Sequence, residues 1–121
     1  MPEPAIDRAA FADLLENVGG DRAFLAELVS TYVGDSPSLF EELRAAIGAG
    51  DAAVARRAAH SLKSTSASMG ALDLSRLCRE IEMVAASGTL TGLAASVDEA
   101  EAEYGRAASE LGRLAAEGSE G

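Results

Sequence analysis

One histidine concentrates the residue types that could do chemistry. His60 is the only histidine among 121 residues. Three and four positions from it stand Arg56, Arg57, Lys63 and Ser64, its neighbours if the segment is helical. A neutral imidazole is a nucleophile near physiological pH and can accept a phosphoryl group. The negative charge created would lie one turn from Lys63, whose cation can favour the product and orient its oxygens. Arg56 and Arg57 can assist from the preceding turn, and Lys63 is given a role before either of them.

The surroundings support that reading. No acidic residue occurs between Asp51 and Asp73, so Arg56, Arg57 and Lys63 form a basic patch in a chain with 10 Lys and Arg against 20 Asp and Glu. Such a patch suits a phosphate or a carboxylate-rich pocket on a partner. The net charge of -10 argues against nucleic acid as the main partner. Ser64 and Ala67 lie one and two turns beyond His60 on its face. Their small side chains leave low relief, over which another protein can reach the ring.

Other candidate groups read as structural. Cys78, the single cysteine, sits among Leu77, Ile81 and Val84 and is expected to be a buried thiol; no internal disulfide is possible, which fits a reducing compartment. Asp21, Asp51 and Asp73 precede helical segments and are expected to cap them. Glu80 and Glu82 flank Ile81 and read as surface or partner-contact residues. The hydroxyl run Ser61, Ser64, Thr65, Ser66 and Ser68 has no second histidine to activate a nucleophile. No set of ligands converges on a metal, and 121 residues leave no room for a separate nucleotide-binding domain.

The elements that must position His60 are helical. Hydrophobic residues make up 48% of the chain with only 4% aromatic and no Trp, a composition rich in alanine that suits closely packed helices. A short helix beginning near Asp7 carries Phe11, Leu14, Leu15 and Val18 and ends at Gly19-Gly20. A long helix follows, with Phe24, Leu25, Leu28, Tyr32, Leu39, Phe40, Leu43 and Ile47, its pattern interrupted at Asp35-Ser36-Pro37, where proline can kink it. The third runs from Asp51 to about Met69, with Val54, Ala58, Leu62 and Met69 as its apolar face and Ala55, Ala59 and Ser66 near the edges. The fourth starts at Asp73, with Leu74, Leu77, Cys78, Ile81 and Val84 inward. The last carries Leu93, Val97, Ala100, Tyr104, Ala107, Leu111 and Leu114 at alternating steps of four and three. The fold class expected is all-α, an antiparallel four-helix bundle with an additional short N-terminal helix, formed by 1–121 as a single domain with a frayed tail at 115–121. No segment resembles a signal peptide or supplies the roughly twenty apolar residues needed to cross a bilayer, so the expectation is a cytoplasmic chain without membrane contact.

The run HSLKSTSASMGA, beginning at His60, resembles the signature of histidine-containing phosphotransfer domains of multistep phosphorelays. That signature is similar to His-x-Leu-Lys-Gly followed by small or polar residues and a later Gly. The resemblance equates His60 with the phosphorylated histidine, Leu62 with a core anchor, Lys63 with the companion cation and Gly70 with the later glycine. Gly19-Gly20-Asp21 and the segment from Cys78 to Glu82 also look familial. Ser64 departs from the usual glycine.

The resemblance implies a phosphotransfer intermediate of a two-component system, with His60 and Lys63 catalytic; the charges of Arg56 and Arg57 and the small side chains of Ser64 and Ala67 make those four the expected partner contacts. It would accept a phosphoryl group from aspartate on a receiver domain, such as that of a hybrid histidine kinase, and pass it to a response-regulator receiver. It would neither hydrolyse ATP nor phosphorylate itself. No cofactor is expected on this chain, Mg2+ belonging to the receiver, and a monomer is expected. Two alternatives stand beside this reading: the phospho-accepting domain of a chemotaxis-type histidine kinase, and a noncatalytic helical adaptor that binds receivers.

Overall fold

A computed structural model describes residues 4–117 of the chain. Five helices follow one another: α1 (Arg8–Asn17), α2 (Arg22–Ala49), α3 (Ala52–Ser68), α4 (Leu72–Ala86) and α5 (Leu93–Glu117). Three of them start where an aspartate occupies the cap. Asp7, Asp21 and Asp51 each accept a hydrogen bond through Oδ1 from the backbone N–H three residues on, at 2.9, 3.0 and 3.1 Å. The expected fourth cap is corrected: Asp73 lies inside the first turn of α4, and Ala71 holds the cap position without a side-chain bond. The carboxylate of Asp73 still meets the positive end of that helix.

Helices α2 to α5 pack in a ring, α2 on α3, α3 on α4, α4 on α5 and α5 back on α2, while α1 rests on α2. Short connections make neighbours antiparallel, giving the expected four-helix bundle with a short N-terminal helix. Between α2 and α3 the turn is closed by Gly50, whose φ of 72° suits a residue without Cβ; the Asp51 N–H donates back to the Ala46 carbonyl at 2.8 Å.

The long α2 runs unbroken through Pro37. Proline has no N–H for the carbonyl four residues back, that of Val33. The Tyr104 hydroxyl on α5 donates to that carbonyl at 2.7 Å, and the Ser36 hydroxyl donates to the Tyr32 carbonyl, also at 2.7 Å. The inward row of α2 is Leu25, Val29, Tyr32, Ser36, Phe40, Leu43 and Ala46. Phe24, expected inside, is 46% exposed. Tyr32 bonds Ser66, and α3 ends only two residues later, so the turn of α2 bearing Phe24 extends past the end of its neighbour.

Helix α5 follows the expected stripe, with Leu93, Val97, Ala100, Ala107, Leu111 and Leu114 buried and Tyr104 half-buried against Tyr32 and Phe40. It continues to Glu117, with Ala115 packed on the core; the remainder of the tail, 118–121, lies outside the described residues. The segment before α1 plugs one end of the bundle. Ala5 and Ile6 are buried, the Ala5 N–H donates to Glu110 on α5, and the Asp7 N–H donates to the Gly70 carbonyl in the α3–α4 turn.

Candidate functional site

Helix α3 buries Ala55, Ala58, Ala59, Leu62 and Ser66. This face is rotated from the expected one: Val54 is only half-buried, whereas Ala55, Ala59 and Ser66, placed at the edges by sequence, are fully inside. Three alanines allow α4 to approach closely, since interhelical distance follows the size of the side chains at the contact. Ser66 is inside because it has a partner, the Tyr32 hydroxyl at 2.7 Å. Burial pushes the Tyr32 phenol up to about 12, against a smaller opposing effect of the Ser66 bond, so the pair stays neutral.

On α4 the inward row is Leu74, Leu77, Cys78, Ile81 and Ala85; Val84, expected inward, is 36% exposed. This orientation turns Glu82, the residue after Ile81, toward the seam with α3. Its Oε2 lies 2.8 Å from His60 Nδ1 and its Oε1 lies 2.7 Å from Lys63 Nζ. The Ser75 hydroxyl fixes the same seam by donating to the Lys63 carbonyl at 2.9 Å.

Exposure is graded across this cluster: 58% for the His60 side chain, 28% for Lys63 and 15% for Glu82. Burial alone would favour the protonated carboxyl of Glu82, but hydrogen bonds from Lys63 and His60, and their charges, hold it below the ordinary glutamate value. An ionised carboxylate only accepts, so in the neutral imidazole the His60 proton resides on Nδ1 and the lone pair on Nε2. Among the described residues the ring makes no second hydrogen bond.

The basic patch read from sequence therefore needs correction. An acidic residue from another helix stands between two of its members. Arg56 and Arg57 remain exposed, and with Ala53, His60 and Glu82 they wall a shallow hollow. Ser64 and Ala67 are exposed beyond His60, as expected. Thr65 and Ser68 donate their hydroxyls to carbonyls of their own helix, those of Ser61 and Ser64, which accounts for much of the hydroxyl run. Glu80, paired with Glu82 in the sequence reading, is separate from it, exposed and bonded to Arg76. Cys78 is buried and its thiol is pushed up to about 12 by desolvation. Among the described residues no three His, Cys, Asp or Glu side chains are placed to hold a metal ion.

Glu82 is the site residue that sequence reasoning missed. Its signal was its place beside the inward Ile81, but which α3 residue it meets depends on helix register and rotation.

With this geometry established, comparison with known families is decisive. The Hpt domain model matches residues 27–116. The chain belongs to the Hpt domain family. Among solved structures it is similar to the histidine-containing phosphotransfer protein B (HptB) of Pseudomonas aeruginosa PAO1, with 31% identity and a TM-score of 0.85 over 96% of this chain and 98% of that one. The fold also matches the HPT domain of a sensor hybrid histidine kinase from Shewanella, with 20% identity and a TM-score of 0.73 over 93% and 95% of the two chains. A comparison with curated proteins finds no match. In this Hpt domain the histidine of the motif is the most exposed member of the His60, Lys63 and Glu82 cluster.

Proposed function

We propose that this Hpt domain carries a phosphoryl group on Nε2 of His60, taking it from an aspartyl phosphate on one receiver domain and passing it to an aspartate on another. The observation that carries the reading is the His60–Glu82 contact. In the neutral imidazole it favours the proton on Nδ1, with the lone pair on Nε2 of a well-exposed ring.

The Nε2 lone pair bonds to phosphorus as the bond from phosphorus to the aspartyl oxygen breaks, and its electron pair leaves with the receiver's carboxylate. The ring keeps its Nδ1 proton and becomes positive, a charge that Glu82 opposes at 2.8 Å. Transfer onward reverses these changes against a second carboxylate. Receiver domains, on a hybrid histidine kinase or a response regulator, supply the aspartate and their own Mg2+. The chain acts as a cytoplasmic monomer in this reading; no helix among the described residues is long and apolar enough to cross a membrane.

Incubation with a phosphorylated receiver is expected to produce one acid-labile phosphohistidine, at His60, and none in His60→Gln. Undiminished labelling of His60→Gln would refute the assignment. Labelling only by an ATP-bound kinase, never by a receiver, would exclude the aspartyl donor.

A further inference from the structure

The hollow beside His60 is lined by two of the three nearby cations. Its wall is Ala53, Arg56, Arg57, His60 and Glu82, and Lys63 does not contribute. Lys63 is engaged with Glu82 Oε1 at 2.7 Å, whereas no ion pair among the described residues engages Arg56 or Arg57.

We propose that the phosphoryl group on His60 is held by Arg56 and Arg57, and that Lys63 is a positioning residue acting through Glu82. This rests on the reading of His60 as the acceptor. If Lys63 left Glu82 to meet the phosphoryl oxygens, a carboxylate only 15% exposed would keep His60 as its one remaining partner, beside a new dianion. The attraction gained would be set against a like-charge repulsion created. Neither arginine has a carboxylate to abandon. Each guanidinium also offers a planar fork of donors to phosphoryl oxygens, and the two together match a dianion in charge.

The reaction reinforces the arrangement. When Nε2 gains phosphorus and the leaving carboxylate takes the electron pair, the ring turns positive with its Nδ1 proton in place. Charges then alternate along the seam from ring to Glu82 to Lys63. Withdrawing Lys63 would break that alternation when the ring most needs an ionised Glu82. The phosphoryl oxygens, on the opposite nitrogen, meet Arg56 and Arg57 in the hollow.

Phosphoramidate, a small phosphoryl donor that needs no docking surface, separates these roles in the full chain. Phosphohistidine formation is followed by phosphorus NMR, and ring nitrogen shifts report the tautomer. Arg56→Gln and Arg57→Gln are each expected to slow acceptance by about three- to tenfold, the scale of one charge-assisted contact at a surface, without altering the tautomer. Lys63→Met is expected to weaken the Nδ1-protonated tautomer and slow acceptance, but not to slow it further once Glu82 is Gln, where it only removes an ammonium facing the amide NH2, because residues acting through one another are not additive. An equal Lys63→Met effect with Glu82 or Gln at that position would place Lys63 on the phosphoryl group and overturn the proposal, as would wild-type rates in both arginine variants. Failure of the unaltered chain to form phosphohistidine with either phosphoramidate or a phosphorylated receiver would overturn the acceptor reading itself, and this proposal with it.

Discussion

Glu82 Oε2 lies 2.8 Å from His60 Nδ1, across a seam between helices whose sequence positions are 22 residues apart. The contact makes the carboxylate the acceptor and the imidazole the donor, so the two ring nitrogens are no longer equivalent. Replacing Glu82 by Gln tests this. The amide oxygen can still accept from Nδ1, but its NH2 group then faces the Lys63 ammonium, donor against donor. Acceptance by His60 is expected to fall roughly tenfold, the scale of one charge-assisted hydrogen bond. Ring nitrogen shifts in Glu82→Gln should show a mixed tautomer population; a population identical to that of the unaltered chain would remove Glu82 from the mechanism.

The same carboxylate makes stability depend on pH. Its folded value lies below the ordinary 4.5, because the bonds and charges of Lys63 and His60 outweigh the opposing effect of burial. A carboxyl lowered on folding stabilises the native state fully above its unfolded value, and that contribution is lost as pH falls through the folded one. Urea unfolding midpoints of the unaltered chain and Glu82→Gln should therefore converge as the pH falls below about 4.5. Widening of the gap at acid pH would reverse the sign assigned to this pair.

How much of this was legible in the residues differs by level. The helices were, because Asp21 and Asp51 mark starts, glycines mark ends, and the Leu93 to Leu114 stripe has a helical period. The rotation of each helix was less so. Small faces such as Ala55, Ala58 and Ala59 give a weak contrast with the surface, and the buried Ser66 resembles a surface residue until Tyr32 is placed opposite it. His60 and Lys63 could be located because both lie on one helix. Glu82 could not, since its contact depends on the register between α3 and α4.

Gly70 belongs to the motif for a reason the motif does not state. Its φ is +83°, and a Cβ there would lie 3.2 Å from the Asp7 carbonyl oxygen, where the segment before α1 crosses the α3–α4 turn. Gly70→Ala combines an unfavourable left-handed backbone with that close contact, and is expected to cost about 1–3 kcal/mol. A urea or thermal unfolding curve measures it, and a loss confined to a few tenths would show that the crossing yields easily.

Cys78 should be inert in the native chain. It is fully buried, and desolvation pushes the thiol up to about 12, leaving almost no thiolate at neutral pH. Alkylation should proceed only through opening of the bundle, accelerating with urea in step with unfolding. Rapid stoichiometric alkylation in native buffer would contradict this packing.

Pro37 and Tyr104 offer a test in which a second change repairs the first. Proline leaves the Val33 carbonyl without its helical donor, and the Tyr104 hydroxyl supplies one at 2.7 Å from a different helix. Tyr104→Phe removes that donor and should destabilise the bundle by about 1–2 kcal/mol, the cost of stranding a partly buried acceptor. Pro37→Ala restores an N–H four residues after Val33 and gives the carbonyl a local partner. In the Tyr104→Phe background it should therefore recover stability by more than it adds to the unaltered chain, where the carbonyl is already bonded. Equal effects of Pro37→Ala in both backgrounds would mean that Tyr104 contributes through its ring contacts with Tyr32 and Phe40 alone.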